Sequence, residues 1–404
     1  MAEGKTIGNV NILDLRKTAE ETISGIEKIG NVNILLYSSA TAPFISRLDL
    51  GNVNLSIEVP QDVDSRTVMG HLRLAADSLL EKRGQAFYIV MGHVIVEAGS
   101  QVASMEESPD GVAGLVVMGH VFCPASLRSI VQAKVRQQMG HFVPYPDDAT
   151  VVSGTLELTA GFLEQLEKPT AFLVIGSLRA TEAIPEVLMG KIEYLQVKGS
   201  ILCSEGNAEA IRSKRRGGTS ELTVVPSGYV YHEGDLEFDA AVLESLDKAK
   251  LFCTGNAVVD PEVEPPAIEK GLGGLRSLGL IVCPKRLKNA VKGLLDLIED
   301  RAVFYEGDLW LFDGEHTLRA SRFDYSEGSV TALVTGELRI EPDVDPSVLA
   351  DRFLVVHNLG EIRCTPEQMG AIEARLGIHD GELSDSSPKE KEAFDIGNAN
   401  MLAL

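Results

Sequence analysis

One short pattern recurs along the chain and limits its fold more than any composition figure. It runs apolar residue, glycine, a mostly polar residue, then apolar-any-apolar. It reads IGNVNI at Gly8 and Gly30, LGNVNL at Gly51, MGHLRL at Gly70, MGHVIV at Gly92 and MGHVFC at Gly119. It continues as SGTLEL at Gly154, IGSLRA at Gly176, KGSILC at Gly199, EGDLEF at Gly234, TGNAVV at Gly255 and LGLIVC at Gly279. EGDLWL at Gly307, TGELRI at Gly336 and LGEIRC at Gly360 complete a series of fifteen copies. Longer gaps precede Gly154 and Gly234. Elsewhere the spacing is roughly 20 to 30 residues, a period that is the signature of a repeat architecture.

The copies group in threes. Cys123, Cys203, Cys283 and Cys364 each stand at the fourth position after the third glycine of a triplet, and the intervals between them agree to within one position. This divides the chain into an N-terminal triplet (1–65), four super-repeats (66–149, 150–227, 228–301 and 302–380) and a linker with a strand-like tail (381–404). The expectation is that 1–380 forms one continuous domain.

The apolar-any-apolar step after each glycine has period two and predicts a short strand. The run before it is often apolar at every position, as in Phe87 to Met91 or Ala171 to Ile175, which suits a strand buried on both faces. The glycine between them predicts a bend or a close backbone approach. Short helices are predicted between strands: Phe162, Leu163 and Leu166 share a helical face, as do Val242, Leu243 and Leu246, and Leu127, Ile130 and Val131. Thr365-Pro366-Glu367-Gln368 reads as an N-cap with Pro at N1 and Gln at N3, and Asp345-Pro346 opens a helix by the same logic.

One strand and one short helix in each such period is the recipe of an α/β solenoid with a parallel sheet. In outline the chain resembles leucine-rich-repeat proteins and related horseshoe solenoids. The resemblance lies in the strand-and-helix rhythm; the L-x-x-L-x-L-x-x-N signature is absent and a glycine-centred motif replaces it, so it implies architecture and not function. A β-helix with helical insertions, of the kind polymer-forming bacterial scaffolds use, is the competing shape. About fifteen turns at ~4.8 Å per strand would make a sheet about 70 Å long.

The formal charge, 37 Lys+Arg against 59 Asp+Glu, is −22. That opposes general nucleic-acid binding and docking on an anionic leaflet, and favours cationic partners or simple solubility. The basic run Arg212 to Arg216 reads as a solvated helix end. No apolar stretch approaches the ~18 residues of a membrane span, no signal peptide is visible, and five cysteines do not make a disulfide framework. A soluble cytoplasmic protein of a microbe is expected, with no membrane insertion.

Candidate chemistry is sparse. The four repeating cysteines fall at inward positions, and three strands between neighbours is roughly 14 Å, beyond the ~7 Å a disulfide spans; they read as buried structural thiols. His71, His93 and His120 occupy one register on consecutive turns and would form a column able to bind a transition metal or respond to pH. The plainer reading is a polar column, since Asn9, Asn31 and Asn52 precede them at that register and Thr155, Ser177, Ser200 and Asp235 follow. His141 reads as part of a helix end capped by Gly140. Gly271-Leu272-Gly273-Gly274 follows a helical pattern and is a weak phosphate-loop candidate. Asp343 and Asp345 read as capping residues sooner than a catalytic pair. Nucleophile-elbow, zinc-protease and Walker motifs do not occur, so no cofactor is expected and the balance leans away from an enzyme.

The tail adds one more hypothesis. GELSDSSPKEKE (381–392) reads as a linker. IGNANMLAL (396–404) then matches IGNVNILDL (7–15) at six of nine positions. A lone copy of the first strand can complete a sheet edge, so Ile396, Gly397, Asn398, Met401 and Leu402 are candidate interaction residues, whether the pairing is within or between chains. The leading expectation is a non-enzymatic scaffold offering an extended polar face to a protein partner. Self-assembly through the tail comes second, and metal binding or pH sensing by the histidine column third.

Overall fold

A computed structural model describes residues 5–81, 86–97, 111–217, 220–295, 301–326, 328–386 and 396–404. The glycine motif becomes a corner or a through-strand position. In Ala86–Met91 and Val94–Glu97 the chain enters one sheet, turns at Gly92-His93 and enters a second. In Thr170–Ala180 the strand runs straight through Gly176. Either way, the glycines of successive layers stack on one another. A Cβ on Gly92 would lie 2.0 Å from the Gly70 carbonyl oxygen, and one on Gly176, at φ +139°, 2.1 Å from that of Gly154. No side chain fits there, which is why the motif keeps glycine.

Strands pair in parallel, as between Lys5–Asp14 and Ile26–Tyr37 or Asp308–Phe312 and Val330–Val334, and short helices return the chain between layers. The strands among the described residues fall into eight sheets, in place of the single long sheet that the turn count suggests. By contact the chain divides into two compact units: Met1–Cys203 with Asn207–Thr223 and Glu392–Leu404, and Ser204–Gly206 with Val224–Lys391.

The first unit opens with a four-stranded sheet, ordered Asp49–Glu58, Ile26–Tyr37, Lys5–Asp14, Ile396–Ala403. Ile7, Val10, Leu13, Ile29, Val32 and Leu35 bury one face. Ile12, Ile34 and Ile57 on the other face pack against Phe87, Ile89 and Val116 of the next sheet. The run from Phe87 to Met91 is apolar throughout because its alternate residues serve different cores: Tyr88 and Val90 pack with the helices, Phe87 and Ile89 against the first sheet. Burying each of these side chains contributes ~2 kcal/mol. Arg16 fastens the first sheet to the chain beyond it. Its guanidinium grips Asp14 at 2.7 and 2.9 Å in a buried setting and donates to the half-buried Val63 carbonyl at 2.9 Å and to Ser65. Such a pair is stable only when its hydrogen bonds are complete, as here.

The next two sheets hold four layers, not three. After the helix Arg128–Lys134, the strands Val135–Gln138 and Phe142–Tyr145 add a layer without a helix. Met139-Gly140-His141 is therefore a further corner of the repeat, and not a helix cap. The last sheet of this unit includes Thr150–Glu157, Thr170–Ala180, Ile192–Lys198 and Ile201–Ser204. Its Leu173 and Ile175 pack against Ile95, Phe122 and Val143.

The second unit repeats the plan. Leu243, Ile268, Leu275, Ile281 and Val291 centre one core; Trp310, Phe312, Phe323 and Phe353 centre the other. Leu280, Val282 and Val303 meet Leu309, Leu311 and Leu333 face to face between them. Its final layer is Leu376–His379 and Glu382–Asp385, the latter paired with Glu361–Cys364. Residues 382–385, expected to be linker, are thus a strand; the linker residues 387–392 lie outside the described residues. The predicted caps form: Thr365 and Gln368 make a capping box, and Asp345 accepts from the Ser347 N–H. Arg212 and Lys214 close the last turn of Glu205–Lys214, as read for the basic run.

Candidate functional site

The histidines form a stacked column on the first unit. Ring centroids of His71 and His93 are 5.0 Å apart, His93 and His120 5.2 Å, His120 and His141 5.6 Å. His141 is a fourth member that the sequence reading set aside, although Met139-Gly140-His141 carries the same motif. Each backbone N–H donates to the ring below: His93 to His71 Nδ1 at 3.4 Å, His120 to His93 Nδ1 at 2.9 Å, His141 to His120 Nδ1 at 2.9 Å. A ring that accepts at Nδ1 is neutral and carries its proton on Nε2. Its one lone pair is spent, so a metal ion would have to displace the ladder. Among the described residues, no group of three or more His, Cys, Asp or Glu side chains is arranged to hold a metal ion.

The same motif position behaves alike at two corners of the second unit. Asp235 Oδ1 accepts the Asn256 N–H at 2.6 Å, and Asn256 Oδ1 accepts the Leu280 N–H at 2.9 Å. His Nδ1, Asn Oδ1 and Asp Oδ1 all lie one bond beyond Cγ. At these corners an acceptor at that distance takes up the next layer's N–H, which the turn has removed from the strand ladder; at Glu337 and Glu361 the N–H instead bonds a backbone carbonyl of the preceding layer. Ser177 and Ser200 instead bond to each other at 2.9 Å, as Asn31 does to Asn9 at 3.1 Å.

His93, His120 and His141 border a cleft of about 640 Å³ with Lys198 and Glu221. Burial lowers the His93 pKa below its ordinary 6.5, and the flanking His71 and His120 add to this. Burial lowers His120 as well, helped by Lys198 and His141. A second cleft, about 570 Å³ in the second unit, pairs Tyr305 and Trp310 with Asp239 and Asp260. Those carboxylates are occupied: Asp239 caps a helix through the Val242 N–H, and Asp260 accepts from Glu262 N.

The repeating cysteines are all buried, and burial pushes the Cys123, Cys203 and Cys364 thiols up to about 11 and Cys283 to about 12. They are protonated and unreactive near neutral pH. Gly271 to Gly274 runs from a helix into a strand, the reverse of a phosphate loop, and a Cβ on Gly273 would lie 2.3 Å from the Lys248 carbonyl oxygen.

The tail is the fourth strand of the first sheet. Ile396–Ala403 pairs in parallel with Lys5–Asp14, with Ile7 opposite Ile396, Gly8 opposite Gly397, Ile12 opposite Met401 and Leu13 opposite Leu402. Asn398 lies within the strand; the side chains of Ile396, Gly397 and Asn398 lie outside the described residues. Leu402 and Leu404 pack on the sheet's core, and Thr18 Oγ1 donates to the Leu404 carbonyl at 2.7 Å.

One polar face was not read from the sequence. Glu315, Glu337, Glu361 and Glu382 align in register across four parallel strands of the second unit. Arg363 holds Glu361 at 2.7 and 3.0 Å, which keeps that carboxyl below its usual range, and reaches Glu337 at 3.3 Å. The signal was there as E-L/I-R at Glu337 and Glu361.

Comparison with protein-family models, with curated proteins and with solved structures found no match.

Proposed function

We propose that the chain is a non-enzymatic scaffold: an α/β solenoid of stacked strand–glycine–strand–helix turns that offers its exposed polar columns to a protein partner. One observation carries this reading. Polar side chains at equal register bond along the stack, to the next layer, and do not converge on a common point. The histidine, asparagine and aspartate columns hold layers together in this way. The solenoid reading draws support from the pairing pattern, in which a strand meets the equivalent strand one layer before or after it. The aligned glutamates give the partner its chemistry: a basic, extended segment matches carboxylates repeated at ~4.8 Å.

The test uses a short lysine-rich peptide titrated against the full chain. Glu337→Arg with Glu382→Arg should weaken binding at least tenfold at low salt. Glu20→Arg with Glu21→Arg, the same change in net charge on a helix of the first unit, should weaken it less than twofold. Equal losses would mean that net charge alone drives binding and would remove this face from the account.

A second reading is favoured by the tail. A sheet completed by the C-terminal strand leaves two long edges, and self-assembly through them is compatible with a scaffold role. The histidine column supports a pH response better than metal binding, because its lone pairs are committed.

A further inference from the structure

Four asparagines cross the first sheet in one directed chain of hydrogen bonds. Asn54 Nδ2 donates to Asn33 Oδ1 at 3.0 Å, Asn33 Nδ2 to Asn11 Oδ1 at 3.0 Å, and Asn11 Nδ2 to Asn400 Oδ1 at 2.9 Å. A ladder of this kind has unlike ends. On the Asp49–Glu58 edge, Asn54 keeps an Oδ1 that accepts from no described residue. On the Ile396–Ala403 edge, Asn400 keeps an Nδ2 that donates to none. The donor end of one molecule complements the acceptor end of another.

The two edge strands also match in sequence and register. LGNVNL at 50–55 and IGNANM at 396–401 are copies of one motif. Within the sheet the copies pair in phase: Val53 with Val32, Val32 with Val10, Val10 with Ala399. One further step in the same phase sets Ala399 against Val53 of a second molecule, with Asn400 beside Asn54 and Gly397 beside Gly51. Both asparagines are exposed.

Neither edge is guarded within its motif stretch; Asp49 and Glu58 stand only at the ends of one strand. Natural edge strands carry charge, proline or bulges that block further pairing. Asp64–Met69 has Arg66, Val135–Gln138 has Arg136 and Phe142–Tyr145 has Pro144. From Leu50 to Ile57 and from Ile396 to Leu404 there is no charged residue and no proline.

We propose that these two edges are the halves of a head-to-tail interface between copies of this chain, formed by parallel strand addition that extends the asparagine ladder. This rests on the self-assembly reading above and adds its surface, register and polarity. The contact is heterologous, so it propagates into a filament or closes into a ring. The motif stretches 50–57 and 396–404 are neutral while the chain carries −22 and Asp49 and Glu58 flank one of them, so assembly strengthens as salt screens the repulsion between subunits.

The experiment is sedimentation velocity on the full chain, on Asn54→Lys, on Asn400→Lys and on an equal mixture of the two variants, each at low and high salt. The wild type should grow in mass with concentration and with salt. Each variant alone should stay monomeric, because one edge is blocked. The mixture should form a dimer and stop there, the intact Asn400 edge of one variant meeting the intact Asn54 edge of the other. Thermal melts check folding, and Leu50→Lys provides a second block of the Asp49–Glu58 edge should Asn54→Lys melt early. Dimers of a single variant, or assembly unaffected by any of these changes, would overturn the proposal while leaving self-assembly by another surface standing. A wild-type monomer at every concentration and salt would overturn both.

Discussion

At the histidine, Asp235 and Asn256 corners the residue after the motif glycine is polar because of one atom. The turn removes a backbone N–H from the strand ladder, and an unpaired buried N–H costs ~1–3 kcal/mol. His93 Nδ1, Asp235 Oδ1 and Asn256 Oδ1 each supply the acceptor. A protonated histidine has no acceptor, so acid should loosen the column at His93 and His120. The folded-state pKa values of His93 and His120 lie below 6.5. The unfolded chain therefore takes up protons first as pH falls. The stability tied to these rings is fully present above pH 6.5 and is lost as pH drops through the lowered folded values. Urea midpoints measured from pH 8 to 5 should fall in the acid half of that range. His93→Asn with His120→Asn, which keeps the acceptor and cannot titrate, should flatten the fall. The glycines themselves divide into two kinds. Gly92→Ala should cost about 3 kcal/mol, because its Cβ meets the Gly70 carbonyl. Gly206→Ala, in a helix with open space around it, should gain about 0.5 kcal/mol. Chemical denaturation of the two variants side by side checks both.

Helices in this chain are short, so capping decides where they start. Thr365 and Gln368 form the expected box, but Gln368 does more. Its amide Nε2 also donates to the Glu341 and Val344 carbonyls at 2.8 and 2.7 Å, in a buried position. Asn207 does the same to the Ala180 and Glu182 carbonyls at 2.8 and 2.6 Å. Each amide pins the loop of the preceding layer. Thr365→Ala should cost ~1 kcal/mol. Gln368→Ala should cost about 2 kcal/mol, since it also strands the buried Val344 carbonyl, while the Glu341 carbonyl keeps its bond from the Val344 N–H; denaturation midpoints separate the two. Caps, strand positions and inward cysteines were legible in the sequence because each is set by neighbours a few residues away. The closing layers were not. Val135–Gln138 leads through Phe142–Tyr145 into Thr150–Glu157 with no helix between the layers, and Gly140 and Gly381 fall outside the triplet rhythm. Nor does an apolar run state its partner: Phe87 and Ile89 announce a second buried face, but only the fold shows that the first sheet covers it.

Across the molecule, one rule generates the architecture. Glycine lets layers approach at the corner, a γ-branched acceptor satisfies the N–H freed at the histidine, Asp235 and Asn256 corners and a backbone carbonyl does so at Glu337 and Glu361, and alternate apolar residues fill the cores on either side. The candidate site was legible to the same extent: His71, His93 and His120 were visible as a column, while the direction of their hydrogen bonds depends on backbone geometry that no residue pattern carries. Hydrogen–deuterium exchange, read residue by residue on the wild type and on His93→Ala, tests the rule. The His120 amide should exchange slowly in the wild type and at least a hundredfold faster in His93→Ala, with His93→Asn restoring protection and the Leu280 amide unchanged throughout. A His120 amide that exchanges as fast as an exposed loop in the wild type, or that is indifferent to His93→Ala, would contradict it.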